Sequence, residues 1–122
     1  MVGAVWHSTW RGSFLQHDPE AISAVLHIFL RVIEARLRQG SGCARGRLGA
    51  VSFVQRFGST LNAHVHLHCC VIDGVFVAGA DGQVQFAEAP ALTPEDLAGR
   101  CVDACCVGSR VPAISMLWMR AT

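Results

Sequence analysis

Residues 63–78 read Ala-His-Val-His-Leu-His-Cys-Cys-Val-Ile-Asp-Gly-Val-Phe-Val-Ala, and the alternation in their first half decides the fold class. His64, His66 and His68 alternate with Val65, Leu67 and Cys69. Alternate residues of a β-strand share a face, so the histidines line one face and the apolar residues the other. The spacing predicts a strand from about 63 to 72. Asp73-Gly74 is a hairpin dipeptide, so a turn is expected there, with residues 75–77 continuing beyond it. Asp81-Gly82 marks another turn and 83–86 a returning strand. Upstream, residues 50–57 form a further strand, with Val51 and Phe53 on one face and Ser52 and Val54 on the other. Gly58-Ser59-Thr60 then turns the chain toward the histidines.

The clearest helix opens at Asp18-Pro19-Glu20. Asp18 suits the cap, Pro19 the first helical position, and Glu20 the positive end of the helix dipole. Ile22, Val25, Leu26, Phe29, Leu30, Ile33 and Leu37 recur at helical spacing, while Arg31, Glu34, Arg36 and Arg38 lie largely off that stripe. Gly40 is expected to stop this helix, and residues 40–48 to form a glycine-rich loop carrying Arg45 and Arg47. Thr93-Pro94-Glu95-Asp96 reads as a second helix start. Residues 2–6 suggest a short strand, and beyond about 99 neither period is visible. The order of elements predicts an α+β domain: an antiparallel sheet with helices packed on one face.

Composition bounds the function. A chain of 122 residues allows one domain, and 52% hydrophobic against 16% charged residues excludes a disordered chain. The net charge of +1 excludes a strongly basic nucleic-acid tail. All ten basic residues are Arg, and there is no Tyr. The six cysteines (Cys43, Cys69, Cys70, Cys101, Cys105 and Cys106) contain no Cys-x-x-Cys pair, which argues against a zinc ribbon. The first ten residues lack a signal-peptide pattern, so a cytoplasmic location with free thiols is expected. No run of about 18 apolar residues occurs, so no membrane span is expected.

The histidine face carries the chemical signal. Same-face neighbours on a strand lie about 6.5–7 Å apart along the backbone, close enough for two imidazoles to converge on one divalent cation. Two families use such a strand. The segment 64–70 fits the His-φ-His-φ-His-φ-φ pattern of histidine-triad nucleotide hydrolases (φ apolar), which would make His66 a nucleophile attacking phosphorus. In that family, however, the triad lies near the chain end after a Gly-x-Ser-Val segment, whereas here 52 residues follow Cys70.

The longer segment GAVSFVQRFGSTLNAHVHLHCCVIDGVFVA, residues 49–78, closely resembles rolling-circle transposases of the insertion-sequence-91 family, which are HUH endonucleases (His, hydrophobic, His). The likeness rests on Gly49-Ala50-Val51-Ser52-Phe53, Arg56-Phe57-Gly58-Ser59, Leu61-Asn62, His66-Leu67-His68 and Asp73-Gly74-Val75-Phe76, with Phe14-Leu15-Gln16-His17-Asp18-Pro19 upstream. It covers about residues 13–97. The resemblance implies an HUH, ferredoxin-like core that binds, cleaves and rejoins single-stranded DNA of a mobile element. It implies a divalent metal, Mg²⁺ or Mn²⁺, held by His66 and His68. Gln55, on the preceding strand, and His64, on the same face, are candidates for a further ligand or a group supporting one. Arg45, Arg47 and Arg56 are candidates for DNA phosphate contacts.

The family attacks the scissile phosphate with tyrosines on a downstream helix, and this chain has none. No catalytic nucleophile is therefore assigned, and an inactive fragment is expected, incomplete at both ends. The expected organisation is a divergent segment 1–12, a partial transposase domain 13–99 and a divergent tail 100–122. The tail reads as a frameshift: in a neighbouring frame 103–112 can encode a basic, helix-compatible segment. A non-enzymatic DNA-binding fragment is the alternative. Trp6, Trp10 and Trp118 are further candidates for base stacking, and Cys101, Cys105 and Cys106 for a zinc site with the histidines.

Overall fold

The computed structural model describes residues 4–9, 18–57, 63–93, 95–97 and 115–120, with side chains for 18–56, 67–93 and 95–97. Its elements run β1 (Ala4–Thr9), α1 (Pro19–Ser41), β2 (Arg47–Phe57), β3 (Ala63–Ala78), β4 (Val84–Glu88) and β5 (Ser115–Arg120). All pairings in the sheet are antiparallel, and the fold is α+β. The 16-residue β3 is its axis. β2 pairs along almost all of one side of β3. On the other side β1 pairs with 66–71 and β4 with 74–78, and β5 pairs outside β1.

Helix α1 starts as its sequence dictates. Asp18 is the N-cap, its Oδ1 accepting the Ala21 N–H at 3.0 Å, with Pro19 in the first turn. The helix ends two residues later than the Gly40 expectation. Gly42 is the left-handed cap, at φ 70°, and the Cys43 N–H closes on the Arg38 carbonyl at 3.1 Å. Gly40 has a packing role instead: a Cβ there would lie 3.0 Å from Pro90 Cδ.

One stripe of α1 covers one face of the sheet. Ile22, Val25, Phe29, Ile33 and Leu37 are buried on it. Phe29, Ile33 and Leu37 meet Cys69, Val71 and Val75 of β3 together with Ala89, Leu92 and Leu97, while Ile22 and Val25 close over Leu67. Each fully buried aliphatic side chain contributes roughly 1.5–3 kcal/mol of apolar transfer. The segment after β4 reaches this core through a capping box. Thr93 Oγ1 accepts the Asp96 N–H, and Asp96 Oδ2 accepts the Thr93 N–H at 3.0 Å. Asp96 also pairs with Arg36 on α1, which fixes residues 95–97 against the helix.

The Asp73-Gly74 hairpin does not form. β3 runs straight through it, and the turn lies at Asp81-Gly82, where Gly82 has φ 79°. Gly74 is needed for proximity to β4: a Cβ would come within 2.4 Å of the Ala87 carbonyl oxygen and 2.5 Å of the Phe86 ring. Two further expectations are corrected. β2 begins at Arg47, inside the stretch read as a loop, and the early strand, described over Ala4–Thr9, runs three residues past the expected end at residue 6. The end segments 1–12 and 100–122 contribute β1 and β5, and β5 carried no sequence signal. The turn at 58–60, Asn62, and Cys101, Cys105 and Cys106 lie outside the described residues, as do the side chains of Trp6, Trp10 and Trp118.

Candidate functional site

The alternation of β3 sorts its chemistry onto two faces. Leu67, Cys69, Val71 and Val75 are buried beneath α1. His68 is half-buried and Cys70 exposed, on the opposite face. Among the described residues no helix covers that face. Cys69 and Cys70 thus part as expected: the first is core, the second solvent-facing, and both are free thiols. Burial pushes the Cys69 thiol above its ordinary value, the hydrogen bond with Ser52 (Sγ···Oγ 3.1 Å) opposes this, and Cys70 adds to it.

Strand register places the neighbours of the histidines. His66 pairs with Gln55 of β2 and Thr9 of β1; His68 pairs with Phe53 of β2 and His7 of β1. Directly registered residues of antiparallel strands share a face and lie about 4.5–5.5 Å apart. Gln55 therefore occupies the position beside His66 that its strand suggested. His7 is an addition that the sequence did not reveal: only the insertion of β1 beside β3 brings residue 7 next to residue 68. His64 lies beyond the last residue of β3 that pairs with β1.

This donor set suits a divalent cation chemically: two imidazoles at successive same-face positions, flanked by a carboxamide and a third imidazole, with no carboxylate at the registered positions. Among the residues whose side chains are described, no group of three or more His, Cys, Asp or Glu is placed to hold a metal. The side chains of His7, His64 and His66 lie outside that set.

The three candidate arginines are not brought together. Arg45 is exposed in the turn before β2, and Arg47 is the first residue of that strand, in register with Phe76. Arg47 therefore lies roughly 25 Å along the strand from the histidine pairs, at about 3.3 Å per residue. It approaches the Glu34 carboxylate at 3.9 Å. That carboxylate also takes the Leu48 N–H at 2.9 Å and pairs with Arg38, whose Nε reaches the Gly46 carbonyl at 2.6 Å. Glu34 and Arg38 thus tie α1 to the start of β2. Arg56 is exposed and adjoins Gln55, so of these three arginines it lies nearest the histidine pairs along the strand.

A groove of about 380 Å³ lies on the other side of the sheet, lined by His27, Leu30, Arg31, Glu34, Leu48 and Ala50. It shares no residue with the histidine face. No described helix is long and apolar enough to cross a membrane.

Residues 49–101 match a protein-family model described as "Putative transposase" (Y2_Tnp). The match takes in most of β2, all of β3 and β4, and the Thr93–Asp96 capping box; it leaves out β1, α1 and β5. It supports a role related to transposition. No curated protein matches the chain, and no solved structure does.

Proposed function

We propose that this chain is a partial HUH-type transposase domain of the insertion-sequence-91 kind, which binds a divalent cation and single-stranded DNA on the open face of β3 but does not cut the strand. The observation that carries this reading is the pairing of His66 with Gln55 and of His68 with Phe53 within the segment that matches the transposase family. His66 and His68 would hold Mg²⁺ or Mn²⁺, with Gln55 and His7 at the registered positions on either side. When bound, the cation supplies Lewis-acid polarisation of a phosphate oxygen. Gln55 offers an amide for orienting that phosphate, and Arg56 a guanidinium for its charge. The chain has no tyrosine, so it lacks the group that would attack phosphorus and carry the DNA covalently.

The test is a titration of the whole chain with Mn²⁺ and with a single-stranded oligonucleotide, followed by a nicking assay. We expect Mn²⁺ to bind and His66→Ala to abolish that binding. DNA affinity should fall steeply with salt, as phosphate contacts require. No protein–DNA adduct should survive denaturing electrophoresis. A stable adduct would overturn the assignment of an inactive domain, and Mn²⁺ binding untouched by His66→Ala and His68→Ala would overturn the cation site.

A further inference from the structure

Phe53 stands directly across from His68 in the β2–β3 register, and it is 58% exposed. Val51, two residues earlier on the same face, is 57% exposed opposite Cys70. The buried core lies on the other side of the sheet under α1, so the ring of Phe53 contributes little to it. Its surroundings favour an anionic partner. The strand Arg47–Phe57 carries no acidic residue, and exposed Arg56 lies three residues along it from Phe53. Sites for single-stranded nucleic acid combine a cationic track with aromatic rings on which bases stack. A ring about 5 Å from an imidazole position, across one strand pair, sits where the base of the same or the next nucleotide falls when its phosphate reaches the histidines.

From this placement we infer that Phe53 is a stacking platform for a base of single-stranded DNA beside the phosphate bound at the histidine face. The inference rests on the reading that DNA occupies that face. The other exposed ring among the described side chains, Phe86, lies on β4 opposite Phe76, the ring centroids 5.3 Å apart and inclined at 54°. It is engaged with another ring and distant from the histidine pairs, which makes it a control.

The experiment uses the full chain and oligothymidylate carrying a single 5-iodouracil. Irradiation should give a cross-link that mass spectrometry maps to Phe53. In anisotropy titrations Phe53→Ala should weaken binding roughly 5- to 150-fold, the range for loss of one base–aromatic stack. The salt dependence should be unchanged, because no charge is lost. Phe53→Trp should restore affinity, and Phe86→Ala should leave it near that of the parent. Because Phe53 is exposed, its variants should unfold at the parent denaturant midpoint, which separates lost stacking from lost structure.

Parent-like affinity for Phe53→Ala, with salt-dependent binding intact, would overturn the stacking role while leaving the proposed function standing. No DNA binding by the parent chain would overturn both. Self-association that disappears in Phe53→Ala, with no cross-link to DNA, would overturn the inference in favour of a contact between two copies of the chain.

Discussion

A Cβ on Gly74 would sit 2.4 Å from the carbonyl oxygen of Ala87. The obstructing atom is backbone on a paired strand, since Gly74 and Glu88 are in register, so no side-chain rotation relieves it. Gly74→Ala should therefore push β4 away and destabilise the fold by about 1–3 kcal/mol, the usual range for overpacking. Gly82→Ala is the comparison. Nothing lies within 4 Å of its would-be Cβ, and the cost there is the left-handed backbone alone, about 1 kcal/mol. Urea unfolding of the two variants measures the difference.

The two adjacent cysteines should react very differently. Cys69 is fully buried and its thiol is held in the neutral form by desolvation, whereas Cys70 is exposed. A thiol reagent at pH 8 should label Cys70 rapidly and Cys69 only as the chain unfolds, with peptide mapping as the readout. The raised Cys69 value also sets a sign. The folded state keeps the proton longer than the unfolded one, so this contribution to stability is complete below the unfolded thiol pKa and is lost as pH rises through the folded one. Cys69→Ala should flatten that alkaline decline in a series of unfolding midpoints.

Asp96 should report at the acid end. Its carboxylate accepts the Thr93 N–H and pairs with Arg36, and these hold its pKa below the ordinary value, the Thr93 hydrogen bond contributing most. The folded state therefore releases this proton more readily. Its stabilisation is present above the unfolded carboxyl pKa, about 3.9, and is lost as pH falls through the lower folded value. Asp96→Asn should reduce the slope of the acid unfolding curve in that window. Thr93→Ala removes the hydroxyl of the same cap and should cost about 1 kcal/mol at neutral pH.

Packing predicts the largest single loss. Ile33 is fully buried between α1 and β3, in contact with the cluster that includes Val71 and Val75. Ile33→Ala should cost 2–5 kcal/mol by thermal or denaturant unfolding, from lost transfer energy and the cavity left behind, on the order found for core truncations.

The histidine row offers a test of donor set. If His7 and Gln55 flank His66 and His68 in holding a cation, the site is rich in nitrogen donors and should prefer Mn²⁺ or Co²⁺ to Mg²⁺. Competition titrations monitored by Mn²⁺ paramagnetic broadening of imidazole resonances should show His7, His66 and His68 affected together and His27, on α1, unaffected.

What could be read from the chain was local. Period-2 alternation at 64–69 and 51–54 and the capped stripe 18–37 sufficed for β3, β2 and α1, because neighbouring residues determine those patterns. Gly40 and Gly74 misled because a glycine marks two different needs, a special backbone angle or a close approach. Here Gly42 and Gly82 have the angle, while Gly40 and Gly74 have the neighbour. The place of His7 beside His68 could not be read, since it depends on which distant strand fills the slot next to β3. The spread of the arginines was hidden for the same reason: the register of β2 against β3 puts Arg47 far from the histidines and Arg56 near them.

The way β3 shares out its partners also orders its assembly in time. β2, β3 and β4 are consecutive in the chain and joined by short connections, so their loops close at small entropic cost. β1, from residues 4–9, must reach β3 across the whole of α1 and β2, and β5, from residues 115–120, pairs only with β1 among the described strands. Contacts of that range are the slow ones in folding. The β2–β3–β4 meander should thus nucleate first, with Gln55 already beside His66, and the arrival of His7 should be a late event.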